Sequence, residues 1–243
     1  MILEICANSY QSALNAQKAG ANRIELCSEL AVGGITPSHG LIEKVVQELS
    51  IPVYVLIRPR SGDFTYSSEE FDIMKRDIEY CKKIGCSGIV SGVLQSNSTI
   101  DVQRTEELIK ISRPLPFTFH RAFDWVVTPE NALEELISIN ADRILTSGQQ
   151  SSALQGADML RKLLKQSNSR IQIMPGGGIN RENVLVFKEN GFTEIHFSAA
   201  SLKEKNVRPK ISMNSKKLLS DTLSIFSDFE KIKAIKKILE ENT

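Results

Sequence analysis

The sequence lacks charge of one sign: 30 Lys and Arg stand against 29 Asp and Glu, a formal net charge of +1. Nucleic-acid binders carry a basic surplus, so we expect no nucleic-acid partner. No apolar run approaches the ~20 residues of a membrane span, and we expect no membrane association. The chain opens in a strand-like run, Ile2-Leu3-Glu4-Ile5-Cys6, with no cationic or apolar leader before it. We therefore expect no secretory signal. Four cysteines in 243 residues are too few for a disulfide framework. With no leader, they point to reduced thiols in the cytoplasm. No Cys-x-x-Cys pair and no His-rich stretch marks a metal site by spacing. No Pro/Gly/Ser-rich linker divides the chain, so we expect a single domain over 1–243. The turn after the first strand, Ala7-Asn8-Ser9, contains no glycine. That argues against an open doubly wound sheet with its Gly-x-Gly-x-x-Gly turn, and no nucleotide cofactor is expected.

What the chain does have is a recurring joint. GANRIELC at 20–27, GCSGIVSG at 85–92, NADRILTS at 140–147 and GFTEIHFS at 191–198 each end a helix-like stretch and begin a strand-like one. The residue after a helix often turns left-handed, where Gly is free of strain and Asn is well tolerated. Gly20, Gly85, Asn140 and Gly191 fit that role. Further strands are expected at Ile2–Cys6, Val53–Arg58, Pro116–His120 and Ile171–Met174. Helices are expected at Ser9–Ala19, Leu41–Leu49, from Ser67 or Ser68 to about Ile84, and at Asp101–Ile111. Four more follow at Pro129–Ile139, Ser152–Lys165, Arg181–Glu189 and Phe229–Leu239. Ser67 with Glu70 has capping-box spacing. The polar, Lys-rich stretch between Ser198 and Asp228 reads as solvated surface. Alternating strands and helices imply a parallel sheet with right-handed crossovers. Eight units, which need about 250 residues, most simply close into a (β/α)8 barrel.

Parity then places the chemistry. Residues two apart on a strand share a face. Leu3 and Ile5 turn to the helices, and Glu4 and Cys6 turn inward. Ile24 and Leu26 likewise oppose Glu25 and Cys27. The same alternation sends Arg58, His120, His196 and Ser198 to the barrel mouth, where functional groups of such barrels collect. Glu4, Glu25, Arg58, His120 and His196 are the candidate acid–base residues. Carboxylates buried beside Arg shift their pKa values, and His carries protons near neutral pH. Gly176, Gly177 and Gly178 end the seventh strand, where barrels often bind phosphate. With Arg58, Arg60, Ser147 and Ser198 they form a candidate anion site.

Other readings compete. The thiols of Cys6 and Cys27 pack as small hydrophobes or ligate a metal. Cys81 and Cys86 read as packing. Glu4 and Glu25 pair structurally with Arg58 or Arg23, or they move protons. Arg60 and Asp63 pin their own loop, and Trp125 covers the mouth or an interface. No Lys stands at a strand end, which argues against Schiff-base chemistry.

These residues carry a resemblance. Arg23-Ile24-Glu25-Leu26-Cys27, Gly33-Gly34-Ile35-Thr36-Pro37-Ser38 and Ile57-Arg58-Pro59-Arg60 with Gly62-Asp63-Phe64 and Tyr66 resemble the CutC family, the proteins named for copper homeostasis. So do Phe119-His120-Arg121-Ala122-Phe123-Asp124, Ile144-Leu145-Thr146-Ser147-Gly148, Pro175-Gly176-Gly177-Gly178 and Glu194-Ile195-His196. The resemblance implies a TIM-like barrel in the cytoplasm, a homo-oligomer with a dimer favoured, and Cu(I) binding that supports copper tolerance. The metal ligands it implies are Cys6 and Cys27. Convergent Glu, Arg and His side chains keep a second expectation open. That is an isomerase- or lyase-like enzyme using acid–base chemistry on a small anionic or phosphorylated metabolite.

Overall fold

Each helix stop sets up the strand that follows. In the computed structural model, Gly20, Gly85, Asn140 and Gly191 all have positive φ, between 59° and 87°. The structure describes residues 1–204, 206, 210–212 and 221–242. In chain order the elements are β1 (Ile2–Ala7), α1 (Tyr10–Lys18), β2 (Arg23–Leu26), α2 (His39–Glu48), β3 (Val53–Leu56) and α3 (Ser68–Ile84). Then come β4 (Gly88–Ser91), α4 (Val102–Ser112), β5 (Phe117–Phe119), α5 (Pro129–Ser138), β6 (Arg143–Thr146) and α6 (Ala157–Ser167). The chain continues through β7 (Gln172–Pro175), α7 (Val184–Glu189), β8 (Glu194–Phe197), β9 (Ala200–Glu204), β10 (Leu223–Ser227) and α8 (Phe229–Glu241). Helix starts follow the side-chain chemistry: Ser9, Ser38, Ser67, Asp101 and Asp228 each accept a backbone N–H. Ser67 and Glu70 form the reciprocal capping box.

The first eight strands form one sheet in the order β7-β6-β5-β4-β3-β2-β1-β8. Every ladder in it is parallel. A parallel bridge between Gly176 and His196 brings the end of β7 onto β8 and closes the ring. The molecule is a (β/α)8 barrel. Strand alternation divides its core in two. Ile5, Ile24, Val55, Ile89, Phe117, Ile144 and Ile195 pack outward against the helices. Cys6, Cys27, Tyr54, Leu56 and Val90 cluster inside the ring. Room for Tyr54 comes from Gly88 on the next strand, where an added Cβ would lie 2.5 Å from the tyrosine ring.

Three expectations are corrected. α6 begins at Ala157 rather than Ser152, and α7 at Val184 rather than Arg181. The residues before them form the turns that carry β6 and β7 into the site. The stretch after Ser198 is not all solvated surface, because β9 and β10 pair antiparallel as a hairpin. Asn8 and Asn15 donate to its Ile225 and Ser227 carbonyls, tying it to α1. Of that stretch, residues 205, 207–209 and 213–220 lie outside the described residues. Among the described residues, no helix is long and apolar enough to cross a membrane.

Candidate functional site

Inward parity on β1, β2, β6 and β8 first builds an ionic layer below the mouth. Arg23 donates to Glu4 through Nε and to Glu194 through Nη2. Arg143 donates to both oxygens of Glu194 and, at 3.0 Å, to Thr118 Oγ1. The Arg23 guanidinium lies 5.0 Å from the Tyr54 ring centroid, an added cation–π contact. Glu4 is wholly buried, which alone would raise its pKa. The His196 hydrogen bond and the Arg23 charge outweigh burial and hold it at about 2. Glu194 is lowered in the same way by Arg143 and Arg23. Of the two sequence alternatives, the Arg partner of Glu4 is Arg23.

Above this layer sit the thiols. Cys6 Sγ lies 3.6 Å from Cys27 Sγ, and both residues are buried. Hydrogen bonding to Cys27, then burial, raises the Cys6 thiol well above its usual value. His196 Nδ1 is 2.8 Å from Glu4 Oε1 and 3.7 Å from Glu25 Oε2. Burial opposes charge on His196, but Glu25, Cys6 and Glu4 outweigh it and raise the imidazole well above the usual range. Burial, helped by the charge on Glu4, lifts Glu25 to about 7. Glu25 Oε2 is buried and makes no hydrogen bond. Ligating atoms of Cys6, Glu25 and His196 all lie within 4.8 Å of one another.

Cys6, Glu25 and His196 form one wall of a cavity of about 630 Å³, a size suited to a small molecule. His120, Arg58, Arg121, Gly177, Gly178 and Ser198 also line it. Burial, then the Arg58 charge, drives His120 down to about 3, so it is neutral near pH 7. Its Nδ1 accepts from the Ala122 N–H at 3.2 Å, which puts the proton on Nε2. That Nε2 is buried without a hydrogen-bond partner.

The structure gives two of the expected anion ligands other work. Arg58 Nη1 donates to the Val32 and Gly34 carbonyls, and Nη2 donates to Gly62. It clamps the loop after β2 to the loop after β3. Arg60 binds Glu70 and Asp63 and does not line the cavity. Gly176 and Ser147 also stand behind the cavity wall, Gly176 packed against Leu145 and His196. Cys81 and Cys86 lie in the outer core, away from the mouth. Trp125 lines the cavity and is half-exposed.

Two residues that sequence reasoning passed over organise the far wall. Asp124 accepts from Thr146 Oγ1 and from the Ser147 and Gln149 backbone N–H groups. It also accepts from Arg121 Nε at 2.7 Å. Arg121 Nη2 donates to Ser147 Oγ at 2.9 Å. Their signal was the run His120-Arg121-Ala122-Phe123-Asp124 itself, two charged side chains directly after an inward His. The hairpin adds Ala200, Leu202 and Ile225 to the cavity lining.

Comparison with known proteins agrees with this architecture. The family model described as CutC family matches residues 1–201. The copper homeostasis protein cutC homolog of Homo sapiens is 42% identical over 241 residues, 98% of this chain and 88% of that protein. The family protein CutC of Histophilus somni (strain 2336) is 41% identical, over 99% of this chain and 100% of that protein. A crystal structure of CutC from Streptococcus agalactiae superposes with a TM-score of 0.77 at 34% identity, covering 82% of this chain and 98% of that one. With a family match over residues 1–201 and near-full-length likeness to these relatives, this chain belongs to the CutC family.

Proposed function

We propose that this chain is a cytoplasmic copper-homeostasis protein that binds Cu(I) as cargo through Cys6 and Cys27 and so contributes to copper tolerance. The observation that carries this reading is the approach of the two buried sulfurs to 3.6 Å, with Cys6 lining the cavity and Cys27 just behind it. Soft thiolates select Cu(I) over harder cations, and a pair of them suffices for a soft monovalent ion. The human relative's name, copper homeostasis protein cutC homolog, supports the same assignment.

The alternative donor set, Cys6 with Glu25 and His196, fits Cu(I) less well. His196 is held as a cation by Glu4 and Glu25, so its ring has no free lone pair. The two thiols remain the better soft site. Because Cys6 is held as a thiol, copper must displace its proton on binding. Apparent affinity then rises with pH, by about tenfold per unit for each thiol proton released.

Anaerobic Cu(I) titration against a competing chelator tests this. The wild type is expected to take up copper stoichiometrically, with affinity rising from pH 6 to pH 8. Cys6→Ser and Cys27→Ser are each expected to lose tight uptake. Unchanged affinity in both variants would sink the assignment.

A further inference from the structure

The far wall of the cavity, opposite the thiols in composition, is built around a cation that the copper reading does not use. Arg121 follows β5 directly. Its Nε is held by Asp124 and its Nη2 by Ser147 Oγ, while Nη1 has no hydrogen-bond partner among the described residues. The side chain is 46% exposed and lines the cavity. Asp124 engages only the Nε edge of this guanidinium and shares its oxygens with Thr146, Ser147 and Gln149, so the Nη1 donors stay available.

The guanidinium faces the loop after β7. A Cβ built on Gly177 would lie 3.5 Å from Arg121 Nη1 and 3.3 Å from Ser147 Cβ. Gly177 and Gly178 both have positive φ, 104° and 74°. Both glycines are thus favoured by backbone conformation, and at Gly177 a Cβ would also crowd Ser147. Their N–H groups donate to no described residue, whereas their carbonyls are occupied by Ala153, Asn180 and Asn183. Successive free N–H groups beside a fixed guanidinium form an anion-binding concavity.

The second observation is His120. It is 5% exposed and lines the same cavity, and its Nε2–H is left without an acceptor. A buried donor without a partner is costly, and its usual resolution is a ligand or water oxygen. A carbonyl oxygen accepting there would be polarised by a neutral imidazole.

We propose that the cavity binds a small oxyanion-bearing metabolite. Its phosphate or carboxylate would be held by Arg121 and the Gly177 and Gly178 N–H groups, and an uncharged oxygen would accept from His120 Nε2. This site is separate from the thiol pair and stands whether or not copper binds.

Thermal denaturation of the whole protein with inorganic phosphate, glycerol 3-phosphate and succinate tests it, the succinate arm separating carboxylate from phosphate recognition. At least one of these oxyanions is expected to raise the wild-type Tm. Arg121→Ala should weaken its binding about tenfold or more, while a Cys6→Ser/Cys27→Ser double variant keeps it. Hydrogen exchange on the wild type supplies a readout that does not depend on the variant folding. The Gly177 and Gly178 amides should gain protection when the stabilising oxyanion is present. The proposal is overturned by no stabilisation from any of the three, by binding undiminished in Arg121→Ala, or by unchanged exchange at Gly177 and Gly178.

Discussion

Replacing Glu194 with Ala is expected to lower the unfolding free energy by about 3–5 kcal/mol, the range for breaking a buried ion pair from one side. Glu194 is the shared acceptor of Arg23 and Arg143. Both guanidiniums are buried inside the ring. Removing the carboxylate leaves Arg143 with Thr118 Oγ1 and the Tyr54 face, and Arg23 with Glu4. An isolated surface pair such as Lys44 with Glu48 offers the contrast. Its loss should change stability by less than about 1 kcal/mol. Urea unfolding of the two variants side by side checks both values. A Glu194→Ala loss as small as the surface pair's would mean that the layer is hydrated and that the mouth above it is not rigidly floored.

A second large effect concerns acid. His120 is neutral in the folded chain down to about pH 3, but in the unfolded chain it takes a proton near 6.5. The unfolded state therefore binds more protons between those values, and stability falls as pH falls through that window. From pH 6.5 to 4.5 the loss is about 2 kcal/mol, because the unfolded imidazole is already half protonated at the start of the interval. Glu25 works in the opposite direction. Its folded value is raised from 4.5 to about 7, so over the same interval it stabilises the fold as pH falls. Glu4, lowered from 4.5 to about 2, adds its own loss of stability mainly below pH 4.5. The His120 and Glu25 contributions therefore largely offset each other between 6.5 and 4.5. In His120→Asn the histidine contribution disappears, and the variant should gain about 2 kcal/mol on the wild type as pH falls across those two units. Parallel profiles would show that His120 protonates freely in the folded chain and is not a neutral donor.

Much of this architecture was legible because it is local. A helix that ends at Gly20, Gly85, Asn140 or Gly191 announces itself through the one backbone conformation those residues tolerate. The inward placement of Glu4, Cys6, Glu25 and Cys27 follows from strand alternation alone. What sequence could not convey depends on closing the ring. Glu194 and Arg143 stand 51 positions apart and meet only across the barrel interior. Arg58 looks like an anion ligand in a list of cationic residues. Its commitment to the Val32, Gly34 and Gly62 carbonyls follows from two loops folding over it. Arg121 looked like part of a motif, and its free Nη1 appears only once Asp124 and Ser147 have taken its other nitrogens. The hairpin was hidden by separation. Leu223 pairs with Glu204 across a long intervening segment, and its strands show no clean apolar alternation.

The proposed role of the mouth turns on where copper goes. Crystals of the Cu(I)-loaded protein, measured above and below the copper absorption edge, answer that directly. Anomalous density between the sulfurs of Cys6 and Cys27 is the expected result. Density on His39 at the surface, or none at the thiols when copper is stoichiometric, would contradict it.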